Sequence, residues 1–105
     1  MKNQDEIFKV LREVYKNPEL SQRKLASNIN FSLGKLNYCL KTLKAKGLMK
    51  MKNFKNNKKK FNYIYILTPK GISKKTSMTI NFLKRKMQEY EELKKELQNE
   101  DKINQ

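Results

Sequence analysis

The chain has no histidine and a single cysteine, Cys39, among its 105 residues. Without histidine it lacks the commonest general base and the commonest metal ligand. One thiol cannot close an internal disulfide or build a zinc site, and no activating base for it is evident. Catalysis is therefore not expected, and neither is a cofactor or a metal. A lone cysteine fits a reducing cytoplasm. There is no apolar run near the ~18 residues of a membrane span and no secretory h-region, so a cytoplasmic protein with no membrane partner is expected.

Carboxylates are the most informative absence. Residues 1–19 hold four bases and four acids, whereas residues 20–88 hold eighteen Lys/Arg and no Asp or Glu. Residues 89–105 reverse the balance, with three bases and six acids, and the whole chain carries a net charge of +15. Solubility alone is well served by mixed signs. A membrane surface would call for a basic helix with a strong Trp/Phe/Leu face, and none is found. Lysines that displace condensed counterions make a polyanion the favoured partner, and nucleic acid the favoured polyanion.

The pattern of apolar residues supplies the elements. Asn3 or Asp5 can start a first helix, with Ile7, Val10, Leu11 and Val14 at i, i+3, i+4 and i+7. Asn17-Pro18 stops it, and Glu19-Leu20 reads as a short extended piece with Leu20 inward. Ser21 reads as the N-cap of a second helix that buries Leu25, Ala26 and Ile29. A turn around Asn30-Phe31 leads to a second cap, Ser32, and a third helix from Leu33 to about Lys46. Gly47 stands where a C′ residue needs positive φ.

Beyond Gly47 the period becomes that of strands. "LMKMKNF" and "FNYIYILT" flank the polar loop Lys55–Lys60 and make a hairpin, with Ile64 and Ile66 toward the core and Tyr63 and Tyr65 opposite. Thr68-Pro69 caps a last helix that finds no strong stop before about Asp101, a rod of about 50 Å. Its stripe through Ile80, Leu83, Met87, Tyr90, Leu93 and Leu97 exceeds what so small a domain can bury, and a second copy of the chain is its simplest use. The fold class expected is mainly α with a small β-hairpin. In detail it is a winged helix-turn-helix over 1–68 followed by a long C-terminal dimerisation helix over 69–105.

In that arrangement the third helix is the recognition helix. At 100° per residue, Leu36, Leu40 and Leu43 cluster inward with Leu33 beside them, and Cys39 borders them. The opposite face holds Gly34, Tyr38, Lys41, Thr42 and Ala45, with Lys35 at a margin and Asn37 and Lys44 on the other flank. Lysine can bond guanine edges or phosphates, and asparagine can bond adenine. Gly34 has no side chain to hold the backbone off a duplex. Ser21, Gln22, Arg23 and Lys24 are placed to clamp the flanking backbone, and Ser32 combines a cap with that use. Lys55, Lys58, Lys59 and Lys60 offer phosphate contacts at the wing tip.

The segments "LSQRKLASNINFSLGKLNYCLKTLKAKGLM", "NFKNN", "YIYILTPKGISKK" and "FLKRKMQEYEELKKE" resemble the small MarR-type transcriptional regulators called EPS-associated, found near polysaccharide biosynthesis genes. The resemblance spans about Ile7 to Glu96. It implies a dimeric bacterial DNA-binding regulator, cytoplasmic and nucleoid-associated, acting on surface polysaccharide genes. The chain departs from larger MarR proteins in two respects. It has no long N-terminal segment, which leaves little material for a phenolic-ligand pocket, so no small-molecule effector is expected. Its wing carries lysines in place of an acidic–arginine pairing, which favours phosphate contact over minor-groove insertion. Two other readings of the basic surface remain open: a nonspecific nucleic-acid or RNA-binding module, and a winged helix whose lysines meet an acidic protein.

Overall fold

The computed structural model describes residues 4–56 and 60–104, with the backbone alone for 53–56, 60–63 and 103–104. Its elements run α1 (Gln4–Lys16), α2 (Gln22–Asn28), α3 (Leu33–Ala45), β1 (Met49–Asn56), β2 (Lys60–Leu67) and α4 (Pro69–Asn104). The two strands form one antiparallel sheet. This is the mainly helical winged helix-turn-helix that the element order predicts, with a long C-terminal helix. The chain forms two compact units, Met1–Lys75 and Thr76–Gln105. No described helix is long and apolar enough to cross a membrane.

In α1, Asp5 and Glu6 occupy the first turn, where a negative charge meets the positive end of the helix dipole. The helix buries Phe8, Val10, Leu11 and Val14, while Ile7 is only half-buried. The inward stripe is therefore rotated toward Phe8 relative to the expected one, and the larger aromatic takes the core position. After α1 the chain does not extend. Asn17 and Pro18 open a tight turn closed by the Leu20 N–H donating to the Asn17 carbonyl at 3.2 Å. Asparagine at the first position and proline at the second are turn chemistry, which overrides the extended reading of Glu19-Leu20.

The two helices α2 and α3 share a way of ending. Asn30 has φ 59, its N–H donates to the Ser27 carbonyl at 3.2 Å, and the Phe31 N–H donates to the Ala26 carbonyl at 2.9 Å. Gly47 has φ 75, its N–H donates to Lys44 at 3.0 Å, and the Leu48 N–H donates to Leu43 at 2.9 Å. Both are Schellman endings, which satisfy orphan carbonyls through a left-handed residue; Gly is the usual choice there and Asn the second. The first of them is the turn of the helix-turn-helix. Ile29, expected inside, is half-buried at the end of α2.

Four side chains of α3 (Leu36, Cys39, Leu40 and Leu43) are buried and meet the α1 and α2 cores. Leu33, expected beside them, is 39% exposed. As the first helical residue its Cβ tilts back over the preceding turn rather than onto the core.

The hairpin pairs Met49 with Leu67, Lys50 with Ile66, Met51 with Tyr65 and Lys52 with Ile64. Directly opposed residues share a face. The buried Met49 therefore shares its face with Leu67 and Tyr65, whereas Ile64 and Ile66 share theirs with the exposed Lys50 and Lys52. Residues 64–67 are all half-buried, so burial does not single out Ile64 and Ile66 for the core. The side chain of Tyr63 lies outside the described residues.

Thr68 fastens the start of α4. Its hydroxyl donates to the Gly47 carbonyl at 2.7 Å and accepts from the Gly71 N–H at 3.0 Å, while its own N–H donates to the Leu48 carbonyl at 3.1 Å. Gly71 is required by that closeness. A Cβ there would lie 1.9 Å from the Leu48 carbonyl oxygen. The unit from Thr76 onward is helix alone. Within it Lys86 pairs with Glu89 at 3.5 Å, and Ile80, Leu83, Met87, Tyr90, Leu93 and Leu97 are each 48–63% exposed.

Candidate nucleic-acid interface

Both helices of the helix-turn-helix begin with a serine cap. Ser21 Oγ accepts from the Lys24 N–H at 3.1 Å, and Ser32 Oγ accepts from the Lys35 N–H at 3.1 Å. Each satisfies one of the amides that a helix start leaves unpaired. Arg23 and Lys24 are exposed in the first turn of α2, and Gln22 is half-buried. The exposed Asn28 at the end of α2 donates to Glu13 at 2.8 Å, and Asn17 donates to the same oxygen at 3.0 Å, so one carboxylate ties α1 to α2.

With its leucines inward, α3 turns Gly34, Tyr38, Lys41, Lys44 and Ala45 to solvent. Tyr38 is 68% exposed, and the space where a Gly34 side chain would stand is empty to 4 Å. Asn37 is half-buried on the flank. Lys44 reaches toward the hairpin, with Nζ 3.6 Å from Met51 Sδ. Lys35 is held at the start of α3. Its ammonium pairs with the Glu6 carboxylate and lies 4.5 Å from the Phe31 ring centroid. Glu6 lies twenty-nine positions before Lys35, so no local spacing announces the pair.

Cys39 sits on the buried side of α3. Burial pushes its thiol above the ordinary value, the Glu6 carboxylate adds to that, and Lys35 opposes it. A protonated, buried thiol is a small hydrophobe rather than a nucleophile. Clefts of about 380 and 230 Å³ lie among the described residues of the amino-terminal unit. One is lined by Ile7, Leu43, Leu48, Lys46, Lys70, Lys74 and Gln4, the other by residues around Tyr38 and Cys39. Among the described residues no group of His, Cys, Asp or Glu is placed to hold a metal.

At the wing, β1 continues to Asn56 and β2 resumes at Lys60, with Asn56 paired to Lys60 and Lys55 to Phe61. Lys55 and Lys60 thus belong to the paired strands rather than to the loop assigned to them. Their side chains, with Lys58 and Lys59 altogether, lie outside the described residues. Lys50 and Lys52 are exposed on β1, cations that the motif reading did not include.

A capped two-helix motif with an outward basic and aromatic face, followed by a two-stranded wing, defines the class as winged helix-turn-helix. Residues 5–48 match a family model described as winged helix-turn-helix DNA-binding. The matched segment runs from α1 through the Schellman ending of α3 and stops before the hairpin. No curated protein matches the chain. The match and the fold together support DNA as a partner.

Proposed function

We propose that the chain is a sequence-specific DNA-binding transcriptional regulator that acts as a homodimer. In this reading α3 enters the major groove, with Gly34 admitting the backbone and Asn37, Tyr38 and Lys41 meeting the groove. Ser21, Gln22, Arg23, Lys24, Ser32 and Lys44 hold the flanking phosphates, and Lys55, Lys58, Lys59 and Lys60 extend that contact along the wing. Lys35 joins them by leaving Glu6, since an exposed ion pair is worth at most about 1 kcal/mol. The two copies meet through the α4 stripe from Ile80 to Leu97 and address a two-fold site whose halves lie about 34 Å apart. Surface polysaccharide genes are the proposed target, on the family resemblance.

The observation that carries this reading is the outer face of α3. Gly34, Tyr38 and Lys41 are exposed at i, i+4 and i+7 of a helix anchored by buried leucines, inside a 69-residue stretch without a carboxylate. Selection of binding sites from random duplex DNA tests it. The expected product is an enriched, two-fold symmetric sequence with half-sites one helical turn apart. Equal binding to every duplex, falling steeply with salt, would assign the surface to a nonspecific module instead. Absence of DNA binding at moderate salt would turn it toward an acidic protein.

A further inference from the structure

We infer that residues 76–104 of α4 pair with the same segment of a second copy in antiparallel orientation, about a two-fold axis between Gln88 and Glu89. This rests on the α4-mediated dimer proposed above and adds its direction and register. The stripe itself is nearly symmetric about that point. Reversing one copy sets Ile80 level with Leu97 of the second copy and Met87 level with Tyr90. Leu83 then comes level with Lys94 and beside Leu93. Every apolar residue of the stripe, all of them more than 45% exposed in the single chain, then faces the second copy.

Charge separates the two possible directions. Residues 84–86 are Lys-Arg-Lys, whereas residues 89–101 hold six acids and two lysines. Parallel copies would set each block beside its own like. They would also place Lys94 against Lys94 within the apolar seam, because Lys94 takes the seam position seven residues after Met87 and fourteen after Ile80. Antiparallel copies place Lys94 over Leu83, where its alkyl stem can lie on the seam and its ammonium can reach water. They also bring residues 84–86 level with residues 91–93. Lys84 and Glu91 lie on the same flank of α4, and in the antiparallel pair that flank faces its own copy, giving Lys84 to Glu91 twice. Parallel packing offers Lys86 to Glu91 instead, so the two close-range patterns differ in which lysine Glu91 meets. Reversal also sets the two copies of Thr76 about 38 Å apart along the axis, from 1.5 Å per residue.

Two measurements on the full chain test the direction. In a Cys39→Ala background, Ser77→Cys and Asn99→Cys are spin-labelled separately. Antiparallel pairing places each label about 35 and 32 Å from its copy along the axis, whereas parallel pairing places both about 10 Å apart. Sedimentation of the same proteins distinguishes the failures. A monomer overturns the α4 dimer and this proposal with it, while a dimer with two short distances overturns the direction alone. In the second measurement, which keeps Cys39, Lys84→Glu should weaken the dimer about fivefold and Lys84→Glu/Glu91→Lys should recover it. Recovery by Lys86→Glu/Glu91→Lys instead would contradict the proposal.

Discussion

The helix α3 and the part of α4 beyond Thr76 are written in the same vocabulary of leucines and lysines, but their leucines meet opposite fates. In α3, Leu36, Leu40 and Leu43 are 0–1% exposed, packed under α1 and α2. In α4, Leu83, Leu93 and Leu97 are 57–63% exposed. The amphipathic pattern fixes which residues share a face, but burial depends on whether another element lies against it. For α3 the chain supplies that element, and the opposite face is left to solvent. For α4 beyond Thr76 the stripe is exposed among the described residues, and it is the feature to be explained.

The largest expected effect separates these two kinds of leucine. Leu40→Ala removes a fully buried side chain and should cost about 3 kcal/mol of unfolding free energy, read by chemical denaturation. Leu83→Ala should leave the amino-terminal unit unchanged to within about 0.5 kcal/mol and act instead on the dimerisation constant. An equal loss from both would erase the distinction between them. Gly71→Ala comes next, at roughly 2–3 kcal/mol, because the added methyl collides with the Leu48 backbone rather than with a side chain that can move.

Outside the core the effects are smaller and divide between binding and stability. Lys58→Ala should weaken all duplexes alike and lower the salt slope by about one, as loss of one phosphate contact does. Ser32→Ala should cost about 1 kcal/mol of stability, since the cap of α3 is an exposed single bond. The smallest effect concerns Cys39. Its thiol is held above the ordinary value, so the neutral form is favoured by folding. The associated stability is complete below the unfolded thiol's value and is lost only as pH rises through the higher folded one. Alkylation of the folded protein should accordingly stay slow at neutral pH and accelerate only in alkaline buffer, followed by mass.

Much of this architecture is legible residue by residue, because its signals are local. Ser21 and Ser32 cap where a hydroxyl precedes a helical pattern, Gly47 takes the left-handed position, and Thr68-Pro69 opens α4. The inward face of α3 follows from a 100° wheel. What escaped depends on partners distant in sequence. The choice of Phe8 over Ile7 is made by the core it enters. The need for glycine at 71 arises from a backbone twenty-three positions earlier, and the holding of Lys35 from Glu6. Asn17-Pro18 is a local signal of another kind, a proline turn that competes with the extended reading of Glu19-Leu20, whereas the turn at Asn30 is where the sequence places it.

The central claim is that α3 reads sequence while the lysines around it supply attraction. Its most direct test is the affinity ratio between a selected duplex and a random one, measured at fixed salt for the wild-type chain and for Asn37→Ala. The account predicts that the substitution lowers the ratio about 5- to 150-fold, the 1–3 kcal/mol of a base contact, with little change in the salt slope. A ratio that stays at the wild-type value while overall affinity falls would contradict it, and would make Asn37 one more contributor to a surface that holds DNA without reading it.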